Sequence, residues 1–406
     1  MIEDNHLIFN EVFNQQPGTA PSGAGIFIGG QPALQPATET GLMLSPGSGT
    51  VTVDANIIRG NLAGAGDGSA IRIDTANGLD VDRSLGAIAP WYDVLVLNNM
   101  IDNNVAGVAG AISVSDSLRA VIRNNTVANN DSTATGSQAF EITNPNLSIA
   151  QPAGIVSRLQ GPVMSQLVNI DATAGPVLID PTILLRPEGS LFSDPVLRNN
   201  ITYHNRSFFW LNFDNPATAI SETGIFPATA ACLASVPADL ATFDPAICNA
   251  DLVNIEDYTN DLAVMSGTQE TADLLDPLFS LMQTGEVVAR PASNTFITGD
   301  PGFVNEYFNE SRDGFLFPEF KTLATAGAFD EGGNFIQVAF GPLSLVELDT
   351  NPNNPEGPLF DYHLTAASAA INNAANVNAA SRLGVDIDNE ARPNGGLNDI
   401  GADEAM

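Results

Sequence analysis

The chain has 406 residues, 47 acidic against 14 basic, and a net charge of −33 at pH 7; its one lysine is Lys321. That balance argues against nucleic acid and anionic lipid as partners, because phosphate binding needs cations that displace condensed counterions. Hydrophobic residues at 44% suffice for a core, while 36 Gly and 26 Pro favour turns and short strands over long helices, so the chain is either several domains or one repeat structure growing along an axis.

In chain order, a faint first element is IFNEVFNQ at 8–15, followed by GAGIFIG at 23–29. VTVDANIIRGN (51–61) then sets the pattern that recurs in VLVLNNMIDNN (94–104), AVIRNNTVANN (120–130) and PVLRNNITYHN (195–205). Asn56, Asn99, Asn125 and Asn200 align, and each is followed by a second Asn five residues on. GSAIRID (68–74) and GAISVSD (110–116) repeat the form of 23–29, with Gly ahead of an alternating apolar run. The copies lie 43, 26 and 75 residues apart, an elastic period that suits a stacked array with insertions on one face.

Asn is depleted from ordinary strands, so its recurrence inside Val- and Ile-rich runs needs a cause. Each copy reads as two short strands meeting at a bend. If the copies stack with strands in register, about 4.8 Å apart, the bend Asn of one lies over that of the next. Its amide then donates to one neighbour and accepts from the other, while Asn tolerates the left-handed backbone of a bend. Val96, Ile101, Ile122, Val127, Leu197 and Ile201 are expected to point inward, with the glycines at the next corner. This is the pattern of an all-β chain folded as a right-handed parallel β-helix, a solenoid with long loop insertions. An antiparallel sandwich explains the alternation but not the fixed Asn register.

The β-helix is expected to occupy residues 1–210. Residues 211–294 lack the Asn repeat and read as a projecting insertion. It holds Cys232 and Cys248, 16 positions apart and without any metal-binding spacing, for which one loop-closing disulfide is the leading reading and two separate buried thiols the other. Leu274, Leu275, Leu278 and Met282 there form a helical stripe, weakened by Pro277. Residues 295–406 return to strand-like alternation, including 315–350, and close the same β-helix. No run of 18 apolar residues exists to span a membrane as a helix, and no basic apolar leader opens the chain, so a secreted form here is a mature protein or a fragment.

The NNxI and GAI units resemble those of the pectate-lyase-like right-handed β-helix superfamily. The C-terminus, with TGDPGFVN (298–305), LFDYHLTAASAAINNA (359–374) and VDIDNEARPNGGLNDIGADE (385–404), resembles the closing signature of choice-of-anchor Q domain proteins. The resemblance rests on Asp386, Asp388, Arg392, Pro393 and the run Asp399 to Glu404, and it covers about half the chain together with the repeat. It implies a final coil and an extracellular or bacterial cell-surface setting, and it implies no single activity.

Three groups suggest chemistry. Tyr203, His204 and Arg206 could serve a polysaccharide lyase as base and carboxylate-neutralising group, but short constellations of this kind are more often packing, and a net charge of −33 repels a polyanion. Asp80 and Asp82 share a strand face, as a glycoside hydrolase pair would, in a chain where chance pairs abound. Asp386, Asp388, Glu390, Asp399, Asp403 and Glu404 could hold calcium; alternatively Arg392 pairs with Asp399 or Asp403 and the rest are solvated. The expected function is a non-catalytic extracellular scaffold or adhesive module, able to stack into a filament, whose partners are other protein chains or polysaccharide. The second reading is a carbohydrate-active enzyme, a polysaccharide lyase or glycoside hydrolase.

Overall fold

The computed structural model describes residues 1–12, 22–30, 48–64, 66–76, 92–161, 178–180, 183–184, 191–215, 220–237, 240–250, 255–284, 296–306, 361–374, 384–394 and 396–405. Asp80, Asp82 and the alternating stretch 315–350 lie outside the described residues.

The chain is all-β with few helices, and most of its described strands are dealt in turn to four sheets, beside two small two-stranded ones. Val51–Asp54, Val94–Leu97, Ala120–Arg123 and Val196–Arg198 form the body of the first sheet, with Ile2–Glu3 beside them. His6–Ile8, Ile57–Arg59, Met100–Asp102, Thr126–Ala128, Ile201–Tyr203, Leu281–Met282 and Ile297–Thr298 form the second. The third joins Glu11–Val12, Leu62–Ala63, Val105–Ala106, Asp131–Ser132 and the start of Arg206–Asn215, and the fourth joins Ile26–Gly29, Ile71–Asp74, Ile112–Ser115, Ile155–Arg158 and Leu262–Ser266. Pairing between successive copies is parallel throughout, as in Val53 opposite Val96 and Val96 opposite Ile122. Parallel pairing of repeat copies is incompatible with an antiparallel sandwich.

Period-two alternation decides what the sheets bury. Val53, Val96, Ile122 and Leu197 of the first sheet meet Ile58, Ile101 and Val127 of the second and Ile71, Ile73, Ile112 and Val114 of the fourth in one core cluster. Ile201 does not join them. It pairs with Thr126, one position away from the inward register, so Thr202 takes the place opposite Val127 and Ile201 faces the other side of the sheet.

The bends divide two jobs that the sequence pattern had merged. The first residue of each doublet is the left-handed one: Ala55, Asn98, Asn124 and Asn199 have φ of 52, 50, 53 and 53°. The second residue forms the column. Asn56, Asn99 and Asn125 each donate Nδ2 to the Oδ1 of the next, Asn99, Asn125 and Asn200, at 2.9, 2.9 and 3.1 Å, and each backbone N–H reaches the same oxygen at 3.0 Å. Ser280 continues the column by accepting from the Asn200 backbone.

Five residues on, a second column runs through Asn10, Asn61, Asn104, Asn130 and Asn205, with Nδ2 to Oδ1 distances of 2.8, 2.8, 2.9 and 2.8 Å. Its bends are again left-handed, at Gly60, Asn103, Asn129 and His204. Asp261 follows Asn205 in the same place and accepts from its Nδ2 at 2.6 Å and from its backbone at 3.1 Å. At the entry to the fourth sheet Gly68 and Gly110 have φ of 64 and 76°, and a Cβ on either would lie 2.6–2.7 Å from a carbonyl oxygen two or three residues on.

The described residues within 211–294 both project from the sheets and return to them. Arg206–Asn215 leaves the third sheet and pairs antiparallel with Ile220–Pro227. One side of this hairpin carries Phe209, Leu211 and Phe213 against Phe226, Phe243 and the two cysteines. Cys232 and Cys248 form a disulfide between the short helices Ala230–Ser235 and Pro245–Ala250. Leu262–Ser266 and Leu281–Met282 then rejoin the fourth and second sheets. The stripe at Leu274, Leu275, Leu278 and Met282 is not helical: Leu275 and Met282 are in the main core, and Leu278 bridges to Arg198. A strand rung outcompetes a helix interrupted by Pro277.

Two outcomes test the columns. Asn125→Ala leaves buried donors and acceptors on Asn99 and Asn200 without their partner and should cost about 1–3 kcal/mol in urea unfolding. A loss no larger than that of the exposed Asn144→Ala would show the column to be dispensable. Burial raises the Asp261 carboxyl to about 6, against the hydrogen bonds from Asn205 that favour its ionised form. Its folded pKa exceeds its unfolded one, so it costs nothing below about pH 4 and destabilises increasingly up to about pH 6. Asp261→Asn should therefore gain on the order of 2–3 kcal/mol at pH 7.5 and nearly nothing at pH 4. Equal differences at the two pH values would contradict the buried ionisation.

Candidate functional site

The outer face of the second sheet carries Tyr203, and the described C-terminal residues lie across it. Ile201, Tyr203 and Leu281 pack with Leu364, Ala370, Ala374 and Ile400, while Met100 and Ala128 pack with Tyr362 and Ala402. The closing signature thus forms a cover on a sheet face where the sequence pattern suggested a final coil. Its described strands, Phe303–Asn305 and Asp361–Leu364, pair antiparallel with each other. Alternation explains the placement: Met100 and Ile201 are apolar on the face opposite the core and need burial of their own.

The cover is held at the bends. Tyr362 donates its hydroxyl to Asn103 Oδ1 at 2.8 Å and accepts from Asn129 Nδ2 at 3.0 Å, so it reads two left-handed residues of the second column's bends. Burial, with Asp102 and Glu306 nearby, pushes the Tyr362 hydroxyl well above the ordinary phenol range. His204, the next residue in that series, pairs through Nδ1 with Glu306 at 2.9 Å. The Gly401 N–H donates to Asn199 O at 2.9 Å, and Ala402 N–H to Thr126 Oγ1 at 3.2 Å. Beside Tyr362, Arg59 grips the buried Asp102 with Nε and Nη2 at 2.5 and 3.0 Å. Burial raises the Asp102 carboxyl despite that partner.

Tyr203, His204 and Arg206 are adjacent but serve separate contacts. Tyr203 is buried, its ring 3.7 Å from that of His204 and edge-on to Phe303 at 6.3 Å. His204 occupies a bend position with φ of 55°, where Asn stands in earlier copies and where His is itself enriched. Arg206 is buried and bonded twice to Asp131, at 2.7 Å each, its register partner in the third sheet. That guanidinium is committed to an internal carboxylate.

The C-terminal acids are mostly engaged by backbone. Asp386 Oδ1 accepts from Asp388 and Glu390 N–H, and its Oδ2 from Glu404 N–H. Asp399 accepts from Asn372 and Ala405, and Glu404 from Asn394 and Asp399. Arg392 donates to the carbonyls of Asp399 and Gly401 and faces Glu404 at 3.7 Å, so its charge partner is Glu404, where Asp399 or Asp403 had been the expected alternatives. Burial lowers the Arg392 pKa and raises those of Asp399, Asp403 and Glu404.

Of the six candidate calcium ligands, Asp388 and Asp403 converge, and His363, to which the sequence pattern assigned no role, joins them. His363 Nε2 lies 2.8 Å from Asp388 Oδ2, and its Nδ1 faces Asp361. One ligand atom each from His363, Asp388 and Asp403 lies within 4.8 Å of the others. The DYHL run, with an acid and a histidine on one strand face, carried the only sequence signal for this grouping. No family model, curated protein or solved structure matches the chain.

Gly401 has φ of 102°, and a Cβ there would meet Ile201 Cδ1 at 2.7 Å and Thr126 Oγ1 at 2.9 Å. Gly401→Ala should therefore loosen the cover at a cost of about 1–3 kcal/mol while leaving the main core intact. Limited proteolysis under native conditions should cut first within 361–405. Wild-type resistance of that segment would show that it does not depend on close approach at Gly401.

Proposed function

We propose that the chain is a right-handed parallel β-helix of the pectate-lyase-like kind, with a C-terminus of the choice-of-anchor Q type, acting as a non-catalytic scaffold or adhesive module outside the cell. Each round through the four sheets is one coil. The described strands from Ile2–Glu3 to Ile297–Thr298 make the coils, the hairpin and disulfide-linked helices project from them, and the described residues at 301–306, 361–374 and 384–405 close over the second sheet.

The observation that carries this reading is the cover. In an enzyme of this architecture a sheet face must admit a glycan. Here the second-sheet face bearing Tyr203 is occupied by the chain's own Phe303, Tyr362 and Leu364, His204 at the adjoining bend is paired with Glu306, and Arg206, in the third sheet, is bound to Asp131. The disulfide fits an oxidising compartment. Among the described residues no helix is long and apolar enough to cross a membrane.

A depolymerisation screen over neutral and uronic glycans, with and without EDTA, should show no unsaturated products and no new reducing ends. Turnover that disappears in the Tyr203→Phe, His204→Ala double variant would replace the scaffold by an enzyme. Association with further copies belongs to the same proposal: electron microscopy should show linear assemblies, and isolated particles at high concentration would remove that part of it.

A further inference from the structure

We propose that His363, Asp388 and Asp403 form a site for a divalent cation of the zinc class, which ties three separate stretches of the cover to one another. His363 sits on Asp361–Leu364, Asp388 in the turn organised by Asp386, and Asp403 in the final stretch that lies on the second sheet. Sequence separations of 25 and 15 residues mean that one ion would cross-link segments already linked by hydrogen bonds such as Glu404 N–H to Asp386 and Leu364 N–H to Asp403.

The geometry has the parts such a site needs. Metal-bound histidines usually give their second nitrogen to a carboxylate or carbonyl, which fixes the tautomer and aims the first nitrogen. Asp361 does this at Nδ1, leaving Nε2 turned toward Asp388. Asp403 is oriented by the Leu364 N–H on its Oδ2 at 2.7 Å. Three ligand atoms within 4.8 Å of one another can contract onto an ion bound at about 2.0–2.2 Å per ligand.

The donor set chooses the ion. One imidazole and two carboxylates suit zinc or its neighbours, with water as a fourth ligand, whereas calcium takes six to eight oxygens. The other acids nearby cannot make up that number, because Asp386, Asp399 and Glu404 are held by backbone N–H groups. Water has access, since the His363 and Asp388 side chains are 37% and 52% exposed. Two carboxylates balance the charge of a divalent ion, and a surface at −33 concentrates cations around it. The competing arrangement is a protonated His363 bridging Asp361 and Asp388 without metal.

The whole chain, stripped with EDTA and exchanged into chelator-free buffer at pH 7.5, should bind one equivalent of zinc chloride by calorimetry, on the order of 1 µM or tighter, and should not bind calcium chloride comparably. His363→Gln and Asp388→Asn should weaken zinc at least tenfold with unchanged circular dichroism, and Asp361→Asn, which meets His363 through Nδ1 and the backbone N–H and not the ion, by about tenfold. Zinc should also slow diethylpyrocarbonate modification of His363 in the unaltered protein, mapped by mass spectrometry, which decides the matter if a variant fails to fold. Zinc binding unchanged in His363→Gln, or modification of His363 unchanged by zinc, overturns the site. These readouts are independent of glycan turnover, so the scaffold proposal can fail separately.

Discussion

Each described repeat copy bends sharply between its short strands, and a bend exposes backbone donors that strand pairing cannot satisfy. The amide columns meet that constraint. Each Asn oxygen accepts the backbone N–H and the side-chain amide of the copy beside it, and each amide also reaches backbone carbonyls, as Asn99 does with Val53 and Leu97. An unsatisfied buried polar group costs about 1–3 kcal/mol, so columns at two bends per copy favour stacking of the copies in this register. The aliphatic core between them is then a consequence of register, because fixing the bends fixes which side chains turn inward.

The left-handed residues ahead of the columns have a second role. Among their side chains, Asn199 contacts Asn124, and Asn98 contacts Asp54 at the end of the neighbouring strand. Others are taken up by the cover through Tyr362 and Glu306. The same doublets that let the chain turn therefore also provide the polar anchors on which the C-terminal residues settle. Apolar side chains between those anchors, Met100 and Ile201 among them, supply the burial.

Charge is distributed accordingly. Several of the scarce arginines pair inside the structure, Arg59 with Asp102, Arg206 with Asp131 and Arg72 with Asp67 and Asp74. A pair of this kind is retained where losing one partner would strand a buried charge. Such pairs join neighbouring rungs in register, as Arg59 does with Asp102 and Arg206 with Asp131.

Asn56, Asn99, Asn125 and Asn200 could be aligned by eye, since a column needs the same residue at the same place in each copy. The parallel pairing, the inward aliphatics and the glycine corners follow from that local pattern. The second column was half legible, because its Asn five residues on was visible while His204 and Asp261 depart from the motif and fit it only through backbone conformation and burial. The fate of the outer face was not legible. Whether Ile201 turns in or out depends on one residue of register, and what covers it comes from distant residues, Phe303 and the stretch from Leu364 to Ile400. Likewise, Asp388 and Asp403 look like any other acids in so acidic a chain until folding sets His363 between them. Repetition and bend chemistry are short-range properties that a sequence carries on its face, whereas the cover and the histidine cluster are meetings of distant segments that only the packed chain brings about.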